Sequence, residues 1–224
     1  MSHNHRAGFT LVELMLSMTF ISVMLVAIAL CVIQMSTIYN RGETMRQVNQ
    51  ASRLLATNLQ QTIGAADPAL LDLSKVESHG RLCTGRFTYV WNSLRPDGTE
   101  KFTNNRYTDS NAEPIRFVRI TDPGGSYCEL GGGNAHIDRT AAQPQELLTE
   151  GDRSLRAHRF TVTPAMEATI TRQQIYVFKV LLGTENIQEI DTTSDSCLPP
   201  SDLASNQAYC SVNEFNLTVR AGVG

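Results

Sequence analysis

The sequence predicts an α+β protein: one long N-terminal helix packed on a mainly antiparallel β-sheet head. Three observations carry that expectation. From Phe9 to Met35 the chain is apolar and uncharged except at Glu13; from Ile38 to Ile63 apolar residues recur at helical spacing; and beyond Gly64 short alternating runs are divided by Gly and Pro clusters. The uneven composition reads as a membrane segment followed by a polar head, in a 224-residue chain long enough for one substantial domain plus an anchor.

The first element, residues 9–35, would be about 40 Å long as a helix at roughly 1.5 Å per residue, more than the roughly 30 Å bilayer core. Arg6, His3 and His5 precede it, and Asn40-Arg41-Gly42-Glu43 follows it. That weak charge bias favours an inside N-terminus. In the second element, residues 36–64, Ile38, Met45, Val48, Ala51, Leu55, Leu59 and Ile63 form a stripe, with Arg46, Gln47, Asn49, Gln50, Arg53, Gln60 and Gln61 between them. This is an amphipathic helix whose apolar stripe needs a sheet to cover. Gly42 would loosen it by about 1 kcal/mol, and Gly64-Ala65-Ala66-Asp67-Pro68 supplies a stop.

Residues 65–224 form the head. Strands are expected at Arg86–Trp91, with Phe87, Tyr89 and Trp91 on one face, and at Ile115–Ile120, Phe160–Thr163, Gln174–Leu182 and Val212–Val219. In the last, Phe215, Leu217 and Val219 share a face. Turns are expected at Pro96-Asp97-Gly98, Asp122-Pro123-Gly124-Gly125, Gly131-Gly132-Gly133-Asn134 and Leu198-Pro199-Pro200-Ser201.

A carboxylate near mid-helix in a membrane costs roughly 2.5 to 3.5 kcal/mol on insertion scales, so Glu13 marks a functional site with a partner to be named. A secretory signal does not account for it: the small-x-small candidate Ala27-Ile28-Ala29 lies inside the apolar run. A lipoprotein signal fails because Leu30 precedes Cys31. The residues Gly8-Phe9-Thr10-Leu11-Val12-Glu13, behind a short polar leader, resemble the processing site of type IV prepilins and pseudopilins.

The resemblance implies a pilin-like fold, with a single helix of roughly 80 Å from about Phe9 to about Ile63. It implies that residues 1–8 are a leader cut between Gly8 and Phe9 by a prepilin peptidase/methyltransferase, which then N-methylates Phe9. Glu13 would neutralise the new Phe9 amine, usually that of a neighbouring subunit, during assembly. A buried charge stripped of its partner costs on the order of 3 to 5 kcal/mol, so the pair selects the register of entry. The bland reading is that Glu13 snorkels to the interface unpaired. Ser22 and Leu30 stand where many major pilins carry helix-weakening Gly and Pro. That departure, with the head's size and the wording Arg53–Gln61, resembles minor pilins and J-type minor pseudopilins.

Of five cysteines, Cys31 lies in the apolar run and Cys83, Cys128, Cys197 and Cys210 in the head. An even count in an exported domain suggests disulfides, and four cysteines permit three pairings. Adjacent pairing is the expectation: Cys197–Cys210 would close a loop of about 14 residues, worth roughly 3 kcal/mol on the chain-entropy account. It would resemble the C-terminal disulfide-bounded loop of type IV pilins. His79 and Cys83 with Cys128 and His136 offer zinc ligand types, but at poor spacing and in an oxidising compartment. Asp191, Asp195 and Asp202 lack EF-hand spacing. No metal or other cofactor is assigned.

His79, His136 and His158 accompany no Gly-x-Ser-x-Gly elbow or Cys-His signature, and no catalytic residue is assigned; His158 is expected on the surface before a strand. The net charge of −3 argues against a nucleic-acid partner. Arg81, Arg86, Arg95, Arg106, Arg116, Arg119, Arg153, Arg156 and Arg159 read as a solvated sheet face more readily than as a DNA-binding patch. The resemblance implies a minor filament subunit, not an enzyme, acting in initiation or at the tip. Its partners would be other pilin or pseudopilin subunits and an inner-membrane assembly platform. It would cross the cell membrane once, N-terminus cytoplasmic and head extracytoplasmic, before joining a filament. The competing function is a filament-displayed or membrane-anchored binding module, an adhesin or a receptor for DNA or protein.

Overall fold

The computed structural model describes residues 10–93, 107–109, 114–129, 135–137, 144–148, 153–166, 173–191 and 193–222. A 54-residue helix, α1 (Leu11–Gly64), comes first, followed by a 3-10 turn at Pro68–Leu70 and a short α2 (Val76–His79). The strands are β1 (Arg81–Cys83), β2 (Phe87–Trp91), β3 (Tyr107–Thr108), β4 (Phe117–Thr121), β5 (Ala135–His136), β6 (Gln145–Glu146), β7 (Leu155–Met166), β8 (Gln174–Thr184), β9 (Ile190–Asp191), β10 (Ser196–Cys197) and β11 (Val212–Ala221). This is an α+β arrangement, compatible with a pilin-like architecture. Two compact units are present, Met1–Asn40 and Arg41–Gly224, so the second half of α1 belongs with the strands.

In the first unit, α1 contains a segment long and apolar enough to cross a membrane. Its hydroxyls are satisfied within the helix: Ser17 Oγ donates to Leu14 O at 2.9 Å, Thr19 Oγ1 to Leu16 O at 2.8 Å and Ser22 Oγ to Met18 O at 2.8 Å. Such back-bonding lets small polar residues sit in an apolar helix without open donors.

In the second unit, α1 buries Thr44, Val48, Ser52, Leu55, Leu59, Thr62 and Ile63. The expected stripe therefore starts late. Ile38 and Met45 are exposed, and three hydroxyl residues join the buried side. The helix passes through Gly42 without a break and stops at Gly64, followed by Asp67, whose Oδ1 accepts from Ala69 N at 3.0 Å to open the 3-10 turn.

Two antiparallel sheets meet the helix where one was expected. The first has the order β1-β2-β4-β6 and the second β11-β8-β7; β9 pairs antiparallel with β10, and β3 pairs in parallel with β5. Aromatic rings join the two larger sheets. Trp91 stacks on Phe117 at 5.2 Å, Phe160 lies 4.6 Å from Trp91, and Phe178 meets Phe160 edge-on at 6.1 Å. Leu55, Leu59 and Ile63 pack into this core together with Leu217, Val219 and Ala221.

Two departures from the sequence reading have physical causes. Phe87, Tyr89 and Trp91 were expected to bury one face of β2, yet Thr88 and Val90 are buried too. A second cluster of Tyr107, Ile115, Val118, Ile120 and Ile137 packs with Val90 there. The expected strand Phe160–Thr163 is the middle of β7, which begins at Leu155 and so takes in Arg156 and His158. The turn expected at Asp122–Gly125 is present, with Gly125 N bonded to Asp122 O at 3.1 Å. Those at Pro96–Gly98 and Gly131–Asn134 lie outside the described residues.

Candidate functional site

The first turn of α1 is built by Thr10 and Glu13. Glu13 N donates to Thr10 Oγ1 at 3.3 Å, and Thr10 N donates back to Glu13 Oε2 at 3.4 Å; the Thr10 hydroxyl also reaches that oxygen at 3.3 Å. This is a reciprocal capping box, which satisfies donors that a helix start leaves open. Its signal, Thr-x-x-Glu before an apolar run, was present in the sequence and was overshadowed by the charge of Glu13.

The carboxylate therefore has a structural role before any partner arrives. The positive end of the helix dipole favours it, and an ionised carboxylate retains acceptor sites after accepting these long bonds. Glu13 is the single charged residue between Leu11 and Asn40, and it lines a shallow concavity with Leu16, Ser17, Thr19, Phe20 and Val23. What the arrangement can do chemically is accept a cation at the head of an apolar helix. Gly8 and Phe9, the expected processing residues, lie outside the described residues.

The head carries two disulfides. Cys83 joins Cys128 and Cys197 joins Cys210, with Cα separations of 5.8 and 5.9 Å. The first links β1 to the segment after β4. Two buried side chains hold that segment: Asp122 Oδ2 accepts from Thr88 Oγ1 at 2.8 Å, Tyr127 N at 2.9 Å and Cys128 N at 3.1 Å, and Arg81 Nη1 donates to Cys128 O at 3.0 Å. The second disulfide closes a loop clasped to α1. Thr44 Oγ1 donates to Ala208 O at 3.3 Å, Arg153 Nε donates to Thr44 Oγ1 at 3.1 Å, and the Arg153 guanidinium lies 4.1 Å from the centre of the Tyr209 ring.

The other residues singled out from the sequence do not converge. Cys83 and Cys128 spend their sulfurs on each other, which removes the thiolates a zinc site would need; Asp72 beside them bonds Ser74. Asp191 accepts from Thr193 N at 2.9 Å and Ser194 Oγ at 2.8 Å, Asp195 pairs with Arg159, and Asp202 accepts from Ala204 N at 2.9 Å. Asp191 and Asp202 serve their own loops, and Asp195 ties its loop to β7. The Ser78 hydroxyl and His79 Nδ1 lie 2.6 Å apart.

His158 corrects the expectation of a surface residue. It is 8% exposed inside β7, at the bulge where the register with β8 shifts between Ala157 and Arg159. Its Nε2 lies 2.9 Å from Thr184 O, over Gly183, where a Cβ would stand only 3.1 Å from that nitrogen. Burial holds the ring's pKa down to about 4, so it is neutral at pH 7. The solvated arginine face is corrected at two positions, whereas Arg86 is exposed. Arg81 and Arg156 are buried, Arg156 against Glu185, while Arg119 lies 4.8 Å from the Phe87 ring centre and donates to Gln145 Oε1 at 2.6 Å. Arg95 and Arg106 lie outside the described residues.

No protein-family model, curated protein or solved structure matches the chain.

Proposed function

We propose that the chain is a minor subunit of a type IV pilus or type II secretion-like filament, made as a prepilin and acting in filament initiation or at the tip. The observation that carries this reading is Glu13: one carboxylate in the first turn of a helix that is otherwise uncharged to Asn40, four residues after Phe9 and its preceding Gly8. A charge there costs stability in a lipid-facing helix unless a cation meets it, and cleavage before Phe9 creates an amine at the right point of the chain. The long apolar helix and the disulfide-braced sheet head support the same reading, since disulfides persist in exported compartments.

In this reading a prepilin peptidase/methyltransferase cuts between Gly8 and Phe9, and α1 anchors the subunit once through the cell membrane, with the head outside. An inner-membrane platform and neighbouring pilin or pseudopilin subunits then take it into the filament. Mass spectrometry of the mature N-terminus tests the first step. An N-methylated Phe9 is the expected result; an intact Met1, or cleavage elsewhere, would overturn the proposal.

A further inference from the structure

The chain contains one Asn-x-Ser/Thr sequence, Asn216-Leu217-Thr218, and the fold sets it in β11 with Glu214 two residues ahead. Side chains two apart on a strand share a face and stand roughly 6 to 7 Å from each other. Leu217 is buried and Phe215 half-buried against the core, so Glu214, Asn216 and Thr218 stand together on the solvent face, all three exposed. The ladder leaves their backbone open as well. Thr184 N bonds Ser211 O at 3.1 Å, so by alternation the odd residues of β11 bond to β8 and the groups of Asn216 and Thr218 point outward.

The Asn216 amide is also unspent. Asn58 accepts from the Tyr89 hydroxyl, Asn92 donates to Tyr107 O and Ile115 O, Asn186 donates to Glu189 Oε1, and Asn213 donates to Asn49 and Ser52. Asn216 and Thr218 make no side-chain hydrogen bond among the described residues. Their strand, moreover, is a sheet edge without a guard of its own. Among the described edges of the two larger sheets, β1 and β6 are three and two residues long, and β7 is interrupted by register shifts at Ala157/Arg159 and Pro164/Met166. β11 runs ten residues in unbroken register with β8 and contains no proline, glycine or lysine. Such an edge invites pairing with other chains unless something blunts it. The segment after α1 covers the far end, where Gly222 N donates to Ala66 O at 3.0 Å, and Asn216 stands in the open middle.

We infer that Asn216 is a modification site, the acceptor of an asparagine-linked glycan. The inference rests on the exported head of the proposed function, since this sequence is an acceptor in secreted domains. The donor is a sugar chain carried on a lipid diphosphate. Asn216 Nδ2 attacks its anomeric carbon, and the C–N bond forms as the C–O bond to the diphosphate breaks. The lipid diphosphate leaves with that electron pair, and one amide proton passes to a base of the transferase. The Thr218 hydroxyl, on the same face, is the group by which the transferase recognises the asparagine. A bulky hydrated sugar at this position stands beside the open edge and blunts it, which the strand's own residues do not.

The test is tandem mass spectrometry with electron-transfer fragmentation, on the full-length protein purified from the membranes of its own cells. The peptide containing Asn216 is expected to carry a sugar mass that the fragments assign to that residue. Occupancy should fall at least about tenfold in Asn216→Gln and Thr218→Val and persist in Thr218→Ser, which keeps the hydroxyl. Both positions are exposed, and an intact Cys197–Cys210 bridge in the same digest verifies that each variant has folded. A bare Asn216 in the native protein, a sugar assigned to Thr218 instead, or undiminished occupancy in Thr218→Val would overturn the site. The digest also reads the N-terminus. An N-methylated Phe9 beside a bare Asn216 defeats this inference alone, whereas an intact Met1 beside a glycosylated Asn216 defeats the filament reading alone.

Discussion

His158 shows how one residue takes a different character from the one its neighbours suggest. Between Arg156 and Arg159 it reads as surface, but the bulge turns its ring over Gly183 and burial keeps it neutral. The unfolded chain holds an ordinary imidazole, pKa near 6.5, whereas the folded value is about 4. Between those values the unfolded state binds more protons, so stability is full above about pH 6.5 and declines as the pH falls toward 4. The loss is of order 2 to 3 kcal/mol. Half-buried Glu146 works in the opposite sense: desolvation raises its pKa, so its contribution weakens as the pH rises through the folded value. Urea unfolding of the native protein and of His158→Gln across this range separates the two. The variant should lose the acid-side slope, and an unchanged slope would show that His158 is not its source.

Among the elements, the clasp between the C-terminal disulfide loop and α1 connects parts 164 residues apart in sequence through Thr44 and Ala208. Replacing Cys197 and Cys210 together by serine should cost about 3 kcal/mol, the loop-closure contribution of a cross-link spanning so short a segment. Protection of amides 208–210 against hydrogen exchange should fall in the same variant, while that of β8 and the remainder of the second sheet persists. Equal loss throughout the head would mean that the loop folds as one unit with the sheet. The helix stop at Gly64, the Asp122 turn and the middles of β2, β4, β7, β8 and β11 were legible because their signals are local. The start of β7 was not. Leu155-Arg156-Ala157-His158-Arg159 looks solvated until Glu185, Thr184 O and Asp195 are brought beside it from distant segments. The hydroxyl members of the α1 stripe were missed for the same reason: Ser52 is buried because its Oγ donates to Val48 O at 2.8 Å and accepts from Asn213 at 3.2 Å.

For the whole molecule, the capping box changes what the loss of Glu13 would mean. On the filament proposal the carboxylate that opens its own helix also awaits an amine, so its removal has two consequences, and they differ in size. Loss of the cap costs about 1 kcal/mol and frays the first turn, an effect that Thr10→Ala should share. Loss of a partner for a buried amine costs on the order of 3 to 5 kcal/mol and falls on assembly alone. On the filament proposal Glu13→Ala should therefore abolish filaments, and Thr10→Ala should only reduce them. A leader substitution that blocks cleavage, Gly8→Leu, removes the amine instead of the carboxylate. Filament counts by electron microscopy, with immunoblots to confirm equal amounts of subunit in the membrane, read the outcome. Filaments persisting in Glu13→Ala, or losses equal in Thr10→Ala and Glu13→Ala, would leave Glu13 a helix cap and no more.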